Sequence, residues 1–351
     1  MEPFSVCIIA KNEEKHIEKC LKALHPLHAE IILVDTGSTD RTKELALKYT
    51  EHIYDFTWVQ DFSAARNFSA EKASNDWILV IDCDEYVTNF DPNAIRAIQK
   101  NPSTVVGLIE QQSLLGEADD QSMYIDSPAR FYNKKFYHFT GTIHEQIVPY
   151  DGNISFSYMS TGVIVSHDGY FGSPEERYEK NMRNTNMLVD ALKKEPDNPY
   201  LLFQLGQSYY AMQDYKTALS YYQKALTQPI NYSSESGVVL AIGTINCLNE
   251  LHRSEEALVF LDHYEELSQY ADFVLLMGHV YTNMGNFLKA MTEYLKATTI
   301  PKFHKAGSNS FLPFYHIGNI YRALGDVNMA KMMYTKAIEY QPAKQALDEL
   351  S

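Results

Sequence analysis

The sequence predicts an α/β domain built on a doubly wound, mostly parallel sheet, followed by an all-α array of helical repeats. Two observations carry this. In the first half, short runs of branched apolar residues at positions 4–10, 31–34 and 77–81 alternate with helical stretches, the order that lays strands side by side in parallel. In the second half a glycine and a tyrosine recur 16 residues apart, at Gly206 and Tyr222, Gly278 and Tyr294, and Gly318 and Tyr334. The expected division is a sheet domain over residues 1–172, a connecting helix over 173–196 and the array over 197–351.

Composition limits the functions available. A chain of 351 residues can hold two sizeable cores. Its 30 basic against 45 acidic residues give a formal charge of −15, which argues against a nonspecific nucleic-acid or anionic-membrane binder. No apolar run approaches the roughly 20 residues of a membrane span, and residues 1–6 lack the basic start of a signal peptide, so a cytoplasmic location is expected. Cys7, Cys20, Cys83 and Cys247 form no C-x-x-C pair and fit a reducing compartment.

In chain order, residues 4–10 (FSVCIIA) read as a buried strand, followed by a polar loop at Lys11-Asn12-Glu13 and a helix through Ile17, Leu21 and Leu24. A second strand, residues 31–34, ends at Asp35-Thr36-Gly37-Ser38-Thr39-Asp40, where Gly37 permits a turn and a helix over 41–49 follows. A weaker strand at 52–54 and a helix at 62–73 come next. The strand Trp77-Ile78-Leu79-Val80-Ile81 then runs into Asp82-Cys83-Asp84-Glu85. Carboxylates crowded at the rim of a sheet repel one another unless a cation or a proton balances them, which raises a metal site as the natural expectation. Ligands of doubly wound sheets bind beyond the carboxyl ends of the strands, so the loops at Asn12-Glu13, Asp35 and Asp82 to Glu85 should converge. Neither G-x-G-x-x-G nor G-x-x-x-x-G-K-[ST] is present in the first loop. A diphosphate here is most simply held through a cation on Asp84, with Mg²⁺ or Mn²⁺ favoured by an all-oxygen shell.

Four stretches, C-I-I-A-K-N-E-E, I-L-V-D-T-G-S-T-D, D-F-S-A-A-R-N and W-I-L-V-I-D-C-D-E, follow in order over residues 5–85. Together they resemble the family 2 glycosyltransferases of GT-A (Rossmann-like) fold. The resemblance implies a nucleotide-sugar donor, usually UDP-linked, with Asp35 at the uracil or ribose and Asp82-Cys83-Asp84 as a D-x-D motif. Within it Asp84 would be the metal ligand and Asp82 would face the ribose or the metal. Asn12, Glu13, Arg66 and Asn67 would line the donor pocket, with Cys83 between the two aspartates. Plainer readings stand beside these: Asp35 as a turn cap, and Arg66 as a surface partner of Asp61.

After Asp91-Pro92, an N-cap with proline at the first helical position, a helix to Lys100 and strands from residue 104 are expected. Inverting sugar transfer needs a general base opposite the leaving nucleoside diphosphate, and Glu145 in Gly141-Thr142-Ile143-His144-Glu145-Gln146 is the candidate, against an exposed strand residue as the alternative. His167 is a candidate additional metal ligand, against a hydrogen-bonded structural histidine. Ser173-Pro174-Glu175-Glu176 reads as a capping box that starts the connecting helix.

In the array, Leu202, Leu205, Gly206, Tyr209, Ala218, Tyr222 and Ala225 match Val274 to Ala297 and Phe314 to Ala337 in spacing, and a weaker unit over 237–264 carries Ala257. These are tetratricopeptide repeats, four in number. Their concave face suits a peptide, and self-association into a homodimer is the equal expectation. A family 2 domain followed by such repeats is similar to the glycocin (sublancin-type) peptide glycosyltransferases. That likeness implies hexose transfer from a UDP-sugar to a cysteine or serine of a peptide. The alternatives are an envelope-polysaccharide or lipopolysaccharide-core transferase and an inactive repeat scaffold.

Overall fold

The computed structural model describes residues 1–114, 123–167 and 174–350. The chain forms two compact units, Met1–Leu114 with Ile125–Gly172, and Leu115–Tyr124 with Ser173–Ser351. The Ser173 cap expected for the connecting helix lies outside the described residues.

The first unit runs β1 (Phe4–Ala10), α1 (Ile17–Ala23), β2 (Glu30–Asp35), α2 (Thr42–Ala46), β3 (Ile53–Asp55), α3 (Phe62–Lys72), β4 (Trp77–Val80), β5 (Glu85–Asn89) and α4 (Pro92–Gln99). It continues with β6 (Val105–Leu114), β7 (Met123–Asp126, of which Met123 and Tyr124 are grouped with the second unit), β8 (Ala129–Asn133), β9 (Tyr137–Thr140), β10 (Gln146–Pro149) and β11 (Ser157–His167). Nine strands make one mixed sheet in the order β3-β2-β1-β4-β8-β6-β11-β5, with β7 beside β6, while β9 and β10 form a separate hairpin. Pairing is parallel from β3 through β4 and between β6 and β11, and antiparallel at β8 and between β5 and β11.

The apolar runs alternate between two cores. Val6, Ile8, Leu33 and Leu79 pack on one face with Ile17 and Leu21 of α1, whereas Cys7, Ile32, Val34, Ile78 and Val80 pack on the other with Ala70 of α3. A strand covered on both faces has no polar side, which is why these runs read as continuous. The helix expected at 41–49 stops at Ala46. Tyr49 and Thr50 are drawn elsewhere, the Tyr49 hydroxyl donating to Glu18 and the Thr50 hydroxyl to the Ile31 carbonyl at 2.7 Å. The sequence also placed Glu85 in the acidic loop. It begins β5 instead and is 1% exposed.

The second unit is helical: α5 (Pro174–Lys194), α6 (Pro199–Ala211), α7 (Tyr215–Ala225), α8 (Glu235–Glu250), a 3₁₀ segment Ser254–His263, α9 (Tyr264–Leu267), α10 (Ala271–Asn283), α11 (Phe287–Ala297), α12 (Phe311–Ala323), α13 (Val327–Lys336) and α14 (Gln341–Glu349). Asn198, Asp214, Ser234, Asn286 and Asp326 cap their helices by accepting from backbone N–H groups. In three units a tyrosine of the second helix lies against a glycine of the first. A Cβ added to Gly206, Gly278 or Gly318 would come within 2.2, 2.4 and 2.5 Å of Tyr222, Tyr294 and Tyr334 respectively. The weak unit lacks this fit, since the same offsets counted from Ala257 put Ile245 and Leu261 in those places, and there the second helix winds as 3₁₀.

Among the described residues no helix is long and apolar enough to cross a membrane.

Two measurements follow from the array. Helix propensity alone would make Gly278→Ala stabilising by about 1 kcal/mol. The ring contact reverses that sign, so the variant should lose about 1–3 kcal/mol in a urea titration. The second concerns His279 on α10 and His316 on α12, whose rings lie 4.3 Å apart. Burial, with the Lys305 charge, pushes the His279 imidazole down to about 4, and burial, His279 and Lys305 hold His316 lower than usual. The unfolded chain therefore binds protons near pH 6.5 that the folded one refuses, and this stabilisation, present above that pH, is lost as pH falls toward 4. A pH series of melting temperatures should show the loss, of order 3 kcal/mol for His279, and H279F/H316F should flatten it.

Candidate active site

The parallel pairing aligns the carboxyl ends of the first strands. Ala10 pairs with Asp35, and Cys7 with Val80, so the loops after β1, β2 and β4 leave from one edge. The first two loops are clasped together. Asn12, with a left-handed φ of 57°, donates its backbone N–H to Ser38 Oγ at 2.9 Å and accepts from the Thr39 N–H at 2.8 Å, and the Glu13 N–H donates to Thr42 Oγ1 at 2.7 Å. The Asn12 side chain therefore holds a loop.

Asp35 caps the turn with one oxygen and leaves the other open. Oδ2 caps the turn by accepting from the Gly37 and Ser38 N–H groups at 3.1 and 2.9 Å, while Oδ1, also buried, has no hydrogen-bond partner among the described residues. A buried acceptor left open at a strand end is what a ligand N–H or O–H would fill.

The acidic loop does converge with the first. The buried Cys20 thiol of α1, the helix after the first loop, donates to the Asp82 carbonyl at 3.6 Å, and burial and then the charges of Glu85, Asp82, Asp84 and Glu13 push that thiol up. Within the loop the side chains diverge. Cys83 does not belong with donor-binding side chains: its thiol is 3% exposed, packs in the core and points at the Ile9 carbonyl at 3.6 Å. Asp84 Oδ2 lies 3.4 Å from His167 Nε2. The sheet register explains that approach, because His167 at the end of β11 is opposite both Glu85 on β5 and Ser113 on β6. Ser113 Oγ bonds His167 Nδ1 at 2.9 Å and so turns Nε2 toward Asp84.

Asp82 and Glu145 are joined through Arg66 on α3. The Arg66 Nε donates to Glu145 Oε1, and Nη2 donates to Asp82 Oδ1 at 3.0 Å. Asp61, the alternative partner for Arg66, caps α3 through the Ala64 N–H at 3.0 Å instead. Arg130, to which the sequence assigned no role, donates to Asp82 Oδ2 at 2.9 Å and lies 3.9 Å from Glu85 Oε1. An arginine inside an aromatic strand, Ala129-Arg130-Phe131-Tyr132, was the available signal. Burial would raise the Asp82 carboxyl, but the two guanidinium groups hold it well below the usual range. Burial and then the Asp82 charge push Glu85 up to about 7.

Glu145 ends a loop whose turn uses Gly141 at φ 99° and whose Thr142 carbonyl accepts from the Phe62 N–H at 2.9 Å, so α3 anchors the loop that carries it. It is not the exposed strand residue of the plainer reading, its side chain being 8% exposed. Asn67, expected at the donor pocket, is held by its neighbour in the sheet hairpin. Its amide brackets Phe139 on β9, donating to the carbonyl and accepting from the N–H, both at 2.9 Å.

Residues 5–150 match the Glycosyl transferase family 2 model. This segment is a family 2 glycosyltransferase domain. Tetratricopeptide repeat models match residues 199–228, 271–304 and 313–344. The glycosyltransferase SunS of Bacillus subtilis (strain 168), described as SPbeta prophage-derived, is 26% identical over 76% of this chain and 61% of its own length. A TPR repeat-containing protein of Synechococcus elongatus is 27% identical over 65% of this chain and 57% of its own. The crystal structure of MamA superposes at a TM-score of 0.39 with 20% identity, covering 50% of this chain and 98% of MamA. The chain thus spans less than two thirds of the SunS sequence.

Loss of the bracket on β9 is measurable. Asn67→Ala leaves the Phe139 N–H and C=O unpaired and should lower unfolding free energy by about 2 kcal/mol in a denaturant titration.

Proposed function

We propose that this chain is an inverting glycosyltransferase that moves a hexose from a UDP-sugar to a cysteine or serine of a peptide, with a divalent cation at Asp84 and His167. The observation that carries this reading is the pair itself, a carboxylate and an imidazole 3.4 Å apart with the imidazole oriented by Ser113. Among the described residues no group of three or more His, Cys, Asp and Glu could hold a metal alone. Asp84 and His167 would hold Mn²⁺ or Mg²⁺ with two protein donors, a number that suits an ion which also takes oxygen from a diphosphate. The cation, when bound, neutralises the charge that develops on the departing diphosphate.

The chain's own residues do the rest. The open Asp35 Oδ1 receives an N–H or O–H of the nucleoside. The acceptor attacks the anomeric carbon from the face opposite UDP, the new carbon–sulfur or carbon–oxygen bond forming as the bond to the diphosphate oxygen breaks. The acceptor proton goes to the Glu145 carboxylate, and UDP leaves with the electron pair. The repeats take the peptide or a second copy of the chain.

Incubation with UDP-glucose, UDP-N-acetylglucosamine or UDP-galactose and a peptide in its cysteine and serine versions, followed by mass spectrometry, tests this. One sugar should add to the peptide with Mn²⁺ and none with EDTA, and no UDP release from any donor would leave the scaffold reading standing. Asp84→Asn should cut activity by at least about 100-fold. For Glu145→Gln, transfer should slow by about 10²–10⁴-fold with donor binding intact; wild-type turnover would remove Glu145 as the base.

A further inference from the structure

The two aspartates of the motif are held in opposite ways. Asp84 faces His167, an uncharged donor when its imidazole is neutral. Asp82 has each oxygen on a different guanidinium, Oδ1 on Arg66 and Oδ2 on Arg130. Neither arginine is at liberty to leave. The Arg66 side chain is 6% exposed and is gripped from its other side by Glu145, and the Arg130 side chain is 14% exposed with Glu85 behind it. The Asp82 backbone N–H is fixed as well, donating to Glu85 Oε2 at 2.8 Å. A carboxylate between two fixed positive groups is a poor ligand for a third cation, because both oxygens carry charge-assisted hydrogen bonds that a metal would have to displace.

We propose that Arg130, acting with Arg66, is a positioning residue that withholds Asp82 from the divalent cation, so that the aspartate facing the cation is Asp84 alone. This rests on the metal-dependent reading of the site given above. Arg130 comes from β8, outside the four stretches that carry the family resemblance.

The test is a double-mutant cycle read as Mn²⁺ affinity, by electron paramagnetic resonance with UDP present. The wild type should bind; if it binds no Mn²⁺, the metal-dependent reading falls and this inference with it. R130M should tighten Mn²⁺ by about tenfold, because Oδ2 of Asp82 is released toward the ion, and R130K should restore the wild-type value. In a D82N background the same R130M change should move the affinity by less than about twofold, and D82N alone should stay within about threefold of wild type. Three results would overturn the proposal with wild-type binding intact: a loss of about tenfold or more in D82N, equal tightening by R130M in both backgrounds, or an R130M affinity unchanged or weakened. Should D82N fail to fold with two arginines uncompensated, D82N/R130M removes the pair together. That double variant should bind Mn²⁺ within about threefold of wild type, and a tenfold loss would overturn the proposal.

Discussion

The candidate site depends on one row of alternating charge, Glu145, Arg66, Asp82, Arg130 and Glu85, drawn from four separate segments of the first unit. Its members are largely removed from water, so no charge can be taken away without stranding its neighbours. Three carboxylates against two guanidinium groups leave the row one charge negative when all are ionised, and the rise of Glu85 to about 7 is the response that burial and a neighbouring Asp82 produce. Interactions of this kind contribute little net stability when compared with apolar packing. Their value here is geometric: they join the segment that carries the candidate base to the segment that carries the acidic motif.

The sheet makes the row reachable. Its parallel half delivers the loops after β1, β2 and β4 to one edge, as the strand–helix alternation requires. Its antiparallel insertions deliver the rest. β8, lodged between β4 and β6, brings Arg130 beside the acidic loop, and β11 between β6 and β5 brings His167 to Ser113 and Glu85. The parallel half alone would have supplied Arg66 and Asp82 without Arg130.

In the second unit the recurring glycine and tyrosine are one packing device used three times. The ring occupies the space a Cβ would need, so the two helices of each repeat meet at a distance that no other residue at the glycine position permits. In the unit where Ile245 and Leu261 stand at those places, the second helix is 3₁₀.

Much was legible in the chain because it rests on local periodicity. Continuous apolar runs declared strands covered on both faces, Pro92 and its Asp91 cap declared α4, and the 16-residue interval declared the repeats. The same logic put Asn12, Asp35 and the acidic stretch at one edge. Partner choice was beyond it. Asn67 and Cys83 stand inside the family motifs, yet one brackets β9 and the other fills the core. Arg66 lies five residues from Asp61 and pairs with residues 16 and 79 positions away. Which carboxylate an arginine meets is set by how strands cross and which register they keep, quantities that emerge only when distant segments pack. The sequence determined the edges and the repeats; the tertiary structure alone decided that Asp82 faces arginine and Asp84 faces histidine.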